Sequence, residues 1–257
     1  MADRREKLLV TTSWDDGNRL DLRILGLLEK YGLRGTFYIP RSCPEFKSLS
    51  DDEVRLIAQT QEIGAHTINH RYLAQTDAAT ARQEISDSKD YIAKLIGQSA
   101  EMFCYPGGSF NASVKEAVRG AGFAGARTVI DLQSKAPIDP FEFGTTIHAY
   151  PFPFKTRNLN AKLLIRQFFA PLQGNFLRRL DSFHLPFYSY RNWHTLAEAV
   201  FDDCLEKGDY FHLWGHSWEI ERYGLWNGLE KIFKHISRRA DCSYVTNGEA
   251  VARLNRK

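Results

Sequence analysis

Apolar runs alternate with stretches of helical periodicity along most of this chain. The run KLLVTTSW at 7–14 predicts a buried strand, and LDLRILGLLEKYG at 20–32 spaces its apolar residues as a helix does. A second strand, RGTFYIP at 34–40, ends at a proline, and the predicted helix at 48–60 has Ser50 as its N-cap. The first sixty residues therefore predict two β/α units.

The alternation continues to about residue 128 and resumes after about residue 193. The further predicted elements are the strand EIGAHT, the helix TDAATARQEISDSKDYIAKLIG, the strand MFCYP, the helix NASVKEAVRGAG, the strand FAGAR, the helix HTLAEAVFDDCLEKG, the strand DYFHLWGH, the helix LWNGLEKIFKHISRR, the strand CSYVT and the helix NGEAVARL. Such alternation implies a mainly parallel sheet with helices outside. No GxGxxG or GxxxxGK[ST] follows a strand, and polar residues cluster after strand ends. We therefore expect an α/β fold, a distorted (β/α) barrel of seven or eight strands, rather than an open doubly wound sheet.

The pattern breaks near residues 131–192, which are rich in proline and aromatic residues. We interpret this stretch as an irregular insertion within a single domain that spans residues 1–257. It contains one predicted helix, LNAKLLIRQFF, and nearby arginines. Two interpretations of that amphipathic segment stay open, a lid packed on the barrel or a helix lying on a membrane surface.

Composition narrows the class of protein. The chain has 257 residues, 43% of them hydrophobic, and a formal net charge of +3, which does not indicate a nucleic-acid partner. The four cysteines show no CxxC spacing and are expected to be reduced and mostly buried. No signal-like apolar stretch follows the charged N-terminus. We therefore expect a cytoplasmic protein, with the inner membrane face as an alternative location.

Two acidic residues stand side by side at the end of the first strand. Asp15 and Asp16 precede a glycine, so an ordinary turn is one interpretation. After the third strand, HTINH places His66 and His70 four residues apart, which is typical either of a surface loop or of a metal site. If both segments lie at carboxyl ends of parallel strands, Asp16 and the two histidines complete a three-ligand hydrolytic site. The second carboxylate, Asp15, is then available as general base.

Other strand ends carry further candidates. Gly107, just after MFCYP, lets a backbone amide approach a substrate as an oxyanion donor, or simply makes a turn. Arg127 ends the strand FAGAR, where it orients a carboxylate or is solvated. In DYFHLWGHSWEIE, His216 lies past the strand and is a candidate general acid, whereas His212 within the strand is more typical of a core histidine.

The indoles of Trp214 and Trp218 are candidates for the wall of a sugar-binding pocket.

The segments that carry the candidate residues together resemble the polysaccharide deacetylase family, the NodB-homology carbohydrate esterases. The matching segments are SWDDG at 13–17, HTINH at 66–70 and LWGH ending at residue 216. The resemblance implies that Asp15 is the base and that His216 is the acid. It also implies that Asp16, His66 and His70 hold a divalent metal, with zinc expected.

The family's RxPY segment is similar only to CYPG at 104–107. Cys104 stands in place of the arginine that orients the base, and Gly107 in place of the aromatic residue. We expect Arg127 to supply the missing guanidinium, Gly107 to donate its amide to the oxyanion, and Tyr105 to line the substrate site. The family's DxxDW segment has no clear match.

The function that the resemblance implies is metal-dependent removal of an N-acetyl group from an amino sugar. The expected substrate is a saccharide or a lipid-linked or nucleotide-linked precursor, with no nucleic acid partner and peripheral membrane contact as an open alternative. Two other functions remain open on the same scaffold, an allantoinase-like amidohydrolase of a cyclic imide or ureide and a non-catalytic saccharide-binding protein.

Overall fold

The computed structural model describes residues 7–43, 47–152, 180, 183 and 185–256. Within them, eight strands form one sheet whose paired strands are all parallel. The strands are β1 (Leu8–Asp15), β2 (Gly35–Ile39), β3 (Glu62–Ala65), β4 (Met102–Cys104), β5 (Gly125–Arg127), β6 (Ile147–His148), β7 (Tyr210–Gly215) and β8 (Cys242–Tyr244). Their order is β5-β4-β3-β2-β1-β7-β6, with β8 also paired to β1.

The sheet is centred on β1, which is buried along its whole length. Its carboxyl half, Thr12–Asp15, pairs with β2, while its amino half, Leu8–Val10, pairs with β8. On the other side, β7 pairs with β1 from Leu9 to Trp14. Two different strands therefore share one edge of β1, which distorts the regular barrel arrangement.

The two ends of the sheet are joined through residues 143–148. Arg127 of β5 forms a parallel bridge with Phe143, and the backbone amide of Thr146 donates to the carbonyl of His212 on β7. The short strand β6 then continues along β7. The structure is thus a parallel, distorted barrel with helices around it, in which seven strands follow one another and β8 pairs with β1 outside that order, which confirms the predicted fold class.

The described α-helices lie where the periodicity predicts them, with one addition. They are α1 (Asp21–Tyr31), α2 (Asp51–Ala58), α3 (Ala78–Ile96), α4 (Ala112–Gly120), α5 (Trp193–Lys207), α6 (Ser217–Tyr223), α7 (Trp226–Ile236) and α8 (Asn247–Leu254). Ser50 forms a capping box with Glu53, and the side chain of Asn111 accepts from the amide of Val114. Helix α6 and strand β6 were not among the predicted elements.

Part of the predicted insertion can be described. Residues 131–152 contain a short helical turn, Pro140–Glu142, and the two-residue strand β6. The predicted helix LNAKLLIRQFF lies outside the described residues. Among the helices that are described, none has the length and apolar character needed to cross a bilayer. All four cysteines are buried thiols, as their spacing predicts.

Candidate metal and acid–base site

The candidate residues meet at the carboxyl ends of β1, β3, β5 and β7. The backbone turns sharply after β1, because Asp16 has a φ of 77° and Gly17 one of 63°. A left-handed conformation is costly for a residue with a side chain, and such strain is concentrated at functional sites. Adjacent carboxylates on an extended strand would point to opposite faces, but here both Asp15 and Asp16 come within 4.0 Å of His216 Nε2.

Asp16, His66 and His70 form a compact cluster of possible metal ligands. Asp16 Oδ1 lies 3.1 Å from His70 Nε2 and 3.5 Å from His66 Nε2, and one ligand atom of each lies within 4.8 Å of the others. Both rings face this oxygen, yet it is buried and accepts no hydrogen bond from the described residues. A buried carboxylate oxygen without a donor is costly, and a cation between the three groups removes that cost.

The tautomer of His66 suits a metal ligand. Its Nδ1 lies 2.8 Å from the carbonyl oxygen of Cys104, and a carbonyl can only accept, so Nδ1 carries the hydrogen. The lone pair is therefore on Nε2, on the side of Asp16. Backbone carbonyls commonly fix metal-binding histidines in this way. The residues present thus fit a divalent cation, and nitrogen and carboxylate ligands of this kind suit zinc.

The loop that carries His70 is tied down by a carboxylate from α3. Glu84, 6% exposed, accepts from the backbone amides of Ile68 and Asn69 at 2.9 Å each, and from Arg71 Nε at 3.1 Å. His70 itself has a φ of 52°. Glu84 therefore holds a strained loop in the conformation that presents the imidazole.

Asp15 has a different set of partners from its neighbour. Arg127, which is fully buried, donates from Nη2 to Asp15 Oδ1, and the Cys104 thiol lies 3.8 Å from Asp15 Oδ2. Cys104 and Arg127 are paired residues on β4 and β5, so both reach Asp15 from the same level of the sheet. Burial opposes the charge of Asp15, but the guanidinium outweighs it with help from His66 and His216, and the pKa of Asp15 lies below its usual value.

His216 lies directly after β7, at the N-cap of α6. Its Nδ1 is 2.7 Å from Glu219 Oε2, and its Nε2 is 3.7 Å from Asp16 Oδ2 and 4.0 Å from Asp15 Oδ2. Burial lowers the pKa of His216, but the bond to Glu219 and the charges of the two aspartates raise it to about 9. The charged form of the imidazole is therefore favoured, and in that form it has a hydrogen on the side of the two aspartates.

A second histidine contacts the same carboxylate. His148, from β6, lies with its Nε2 3.3 Å from Glu219 Oε2, and its ring stacks on Trp214 at 3.9 Å between centroids. Burial opposes the charge of Glu219, but the nearby His148 and the hydrogen bond from His216 lower the pKa of Glu219 to about 2. Glu219 is thus an ionised acceptor that holds the Nδ1 hydrogen of His216.

The aromatic candidates occupy different positions. Trp218 is half-buried and donates from Nε1 to Asp16 Oδ2 at 3.0 Å. Trp214 is only 7% exposed, and its ring lies under the guanidinium of Arg127, 4.7 Å from the centroid. Tyr105 is fully buried; it donates to the carbonyl of Phe141 and stacks on Phe110.

The expectation that Tyr105 and Trp214 line the substrate site is therefore corrected. A strand alternates its faces, and Tyr105, one residue beyond Cys104, points into the packing between strand and helices. Trp214, two residues before His216, supports Arg127 and His148 from beneath. His212 is a core histidine, bonded to Ser13 and to the carbonyl of Gly144, and burial lowers its pKa to about 3.

Gly107 lies in a left-handed turn just after β4, with a φ of 57°. A Cβ atom there would stand 2.2 Å from Cε1 of Tyr72, so the ring of Tyr72 lies directly on this turn. Tyr72 in turn neighbours His70, with 6.3 Å between ring centroids. The turn at Gly107 therefore lies at the same rim as the cluster of Asp16, His66 and His70.

Comparison with known proteins shows which family and which solved structures this chain resembles. Residues 2–126 match the family model described as polysaccharide deacetylase. The match covers just under half of the chain, so through its amino-terminal part the chain is similar to the polysaccharide deacetylase family. A curated relative, the peptidoglycan N-acetylmuramic acid deacetylase PdaC of Bacillus subtilis (strain 168), is 25% identical over 120 residues, which is 46% of this chain. The chain spans about a quarter of the length of that relative.

Solved structures share the fold of this chain over nearly its full length. A candidate polysaccharide deacetylase from Mycobacterium smegmatis is 15% identical, with a TM-score of 0.68 over 100% of this chain and 93% of that one. A family 4 acetyl xylan esterase from Clostridium thermocellum, in complex with a cobalt ion, is 16% identical, with a TM-score of 0.57 over 95% and 90% of the two chains. At these identities the likeness establishes a shared fold.

Three residues of the candidate site were not predicted from the sequence. Glu219 stands three residues after His216, on the same face of a helical turn, and this spacing was a usable signal. His148 lies in the proline-rich stretch, where nothing in the pattern indicated a strand. Glu84 is one of several acidic residues on α3, and only its burial distinguishes it.

Proposed function

We propose that this protein removes the acetyl group from N-acetylated amino sugars of a saccharide, with a divalent cation held by Asp16, His66 and His70. The observation that carries the proposal is that two adjacent carboxylates have different surroundings. Asp15 is paired with a buried guanidinium, whereas Asp16 turns a buried oxygen without a hydrogen bond toward two imidazoles. A turn with no chemistry would have no need of two separate environments.

A divalent cation, for which zinc is our expectation, would supply Lewis-acid activation of a water molecule and of the amide carbonyl. The chain's own residues then move the protons. Asp15 is ionised, because Arg127 keeps its pKa low, and it accepts the proton of the attacking water. The guanidinium occupies Oδ1 and leaves Oδ2 on the side of His216 and Cys104.

His216 completes the reaction. Water forms a C–O bond to the amide carbon, the C–N bond breaks, and His216 gives its proton to the leaving nitrogen. Acetate and a free amine result. We assign stabilisation of the developing oxyanion to the backbone amide of Gly107, which needs no side chain for that role.

The saccharide class of the substrate is supported by the match of residues 2–126 to the polysaccharide deacetylase model and by the name of the curated relative, a peptidoglycan deacetylase. A lipid-linked or nucleotide-linked amino sugar and action in the cytoplasm, at the inner membrane face or away from it, remain proposals. Nothing observed on the described residues favours ring opening of a cyclic ureide.

The decisive experiment measures acetate release from free, oligomeric, nucleotide-linked and lipid-linked N-acetylhexosamines, with allantoin in the same panel. Asp15→Asn keeps the shape of the side chain but cannot accept the proton. We expect equal amounts of acetate and amine from at least one saccharide, and a rate about 10²–10⁴-fold lower in Asp15→Asn. Absence of acetate from every saccharide, or full turnover by Asp15→Asn, overturns the proposal.

A further inference from the structure

An exposed tyrosine lies at the rim of the site. Tyr72 is 51% exposed and follows His70 by two residues, and its ring is tilted at 59° to the imidazole. Its backbone is fixed, because its carbonyl accepts from the amide of Gln75 and from the hydroxyl of Thr76, each at 3.1 Å. The ring is therefore held at its base while much of its surface faces solvent.

The turn after β4 makes room for this ring. A Cβ atom at Gly107 would stand 2.2 Å from Tyr72 Cε1, a separation that atoms do not tolerate. The absence of a side chain at Gly107 thus lets Tyr72 pack against the backbone of the turn. One side of the ring is covered by that turn, and the remainder is exposed beside a proposed metal ligand.

Other aromatic residues near the cation site are less accessible. Tyr105 is fully buried, Trp214 is 7% exposed, and Trp218 is half-buried with its Nε1 on Asp16. Other exposed large apolar side chains of the described part lie on elements that carry no residue of the site. They are Leu56 on α2, Ile138 before the turn Pro140–Glu142, and Phe187 and Tyr188 in the turn Phe187–Arg191.

We propose that Tyr72 is a substrate-binding residue that stacks its exposed ring on a pyranose ring of the saccharide. This inference rests on the proposed function and specifies how the sugar is held. Aromatic rings pack well against the C–H face of a sugar, and a large exposed apolar ring beside a catalytic cluster is an expected binding feature. Stacking holds the sugar equally before and during the reaction, so it affects substrate affinity rather than the chemical step.

The test compares Tyr72→Ala with Tyr72→Phe, using a β-1,4-linked N-acetylglucosamine pentamer. KM and kcat for acetate release are measured, together with pentamer affinity in the inactive Asp15→Asn background. We expect Tyr72→Ala to raise KM and Kd by about threefold to tenfold with kcat nearly unchanged, and Tyr72→Phe to retain both constants. The matched control is Tyr91→Ala, which removes a half-buried tyrosine on the outer helix α3.

Three results would overturn the inference. An unchanged KM in Tyr72→Ala, with normal turnover by the unaltered protein, overturns stacking and leaves the proposed function standing. An equal loss of kcat in the Ala and Phe variants shows that the hydroxyl or the loop, rather than the ring face, is responsible. A protein that neither binds nor deacetylates the pentamer or any other N-acetylated saccharide overturns both proposals together.

Discussion

The guanidinium of Arg127 reaches Asp15 from β5, at the residue that pairs with Cys104 on β4. The family pattern has an arginine at the position of Cys104. In this chain the guanidinium comes instead from Arg127 on the neighbouring strand β5, at the same level of the sheet. The carboxylate that it serves is unchanged, because neighbouring parallel strands bring their carboxyl ends to the same rim.

This relationship predicts a rescue. Arg127→Cys leaves Asp15 buried without its partner, which we expect to lower kcat severely and to cost about 3–5 kcal/mol of unfolding free energy. Adding Cys104→Arg supplies a guanidinium from the adjacent strand. It should restore part of the lost kcat and part of the lost unfolding free energy. Enzyme kinetics and urea unfolding measure the effect, with Arg119→Cys on the surface of α4 as the control. Wild-type turnover in Arg127→Cys alone contradicts the assigned role.

Glu219 is predicted to position His216. Glu219→Gln replaces the acceptor of the Nδ1 hydrogen with an amide that can also donate, so the ring loses its fixed orientation. We expect kcat to fall by about tenfold or more, short of the roughly 10²–10⁴-fold expected on losing the acid itself. The control, Glu221→Gln, lies on the same helix and should be nearly silent. Equal kinetics for the two variants would argue against the role of Glu219.

Much of the fold could be predicted because it depends on local patterns. Ser50 and Asn111 cap helices where their side chains alone indicate it, and buried strands end where polar residues begin. Strand β6 could not be predicted, because two residues are too short for any periodicity. It forms through pairing with β7, a contact between segments distant in sequence.

The candidate site, like the fold, could be predicted from the sequence only in part. The meeting of Asp16 with His66 and His70 followed from two segments lying at strand ends, and the predicted contact of Arg127 with Asp15 is present. The positions of Tyr105 and Trp214 could not be predicted, since which face of a short strand turns inward depends on packing against the whole barrel. Tyr72 was missed because a tyrosine in a polar loop carries no pattern.

Glu84 is predicted to control metal affinity without touching the metal. Glu84→Gln replaces one of the two accepting oxygens with a donating amide, so either the backbone amides of Ile68 and Asn69 or the side chain of Arg71 loses its acceptor, and the loop that carries His70 loosens. Substitutions of residues that support metal ligands typically cost about 10–100-fold in affinity, and we expect a loss in that range. A chelator competition titration measures it, with Asp87→Asn on the same helix as the control. Unchanged affinity in Glu84→Gln excludes this supporting role.

Asp21 predicts a pH dependence of stability. It is fully buried at the start of α1, accepts from Ser217 Oγ, and burial raises its pKa well above the usual value. The folded state therefore retains a proton that the unfolded state releases above pH of about 4. Stability should fall as pH rises through this window, by up to about 1.4 kcal/mol per pH unit.

Asp21→Asn carries no titrating proton and should lose that slope. Urea unfolding of chelator-treated protein at pH 5 and pH 7 measures the difference, and the exposed residue Asp51, changed to Asn, serves as the control. A slope in Asp21→Asn equal to that of the unaltered protein shows that Asp21 is ionised in the folded state.

The metal content of Asp15→Asn and Asp16→Asn tests the division between the two carboxylates most directly. Each variant replaces one carboxylate oxygen with an amide nitrogen and preserves the side-chain shape. After loading with zinc and removal of excess ion, we predict one zinc per chain in Asp15→Asn, without turnover, and almost none in Asp16→Asn. Equal zinc content in the two variants, whether full or absent, contradicts the assignment of Asp16 to the metal and Asp15 to the proton.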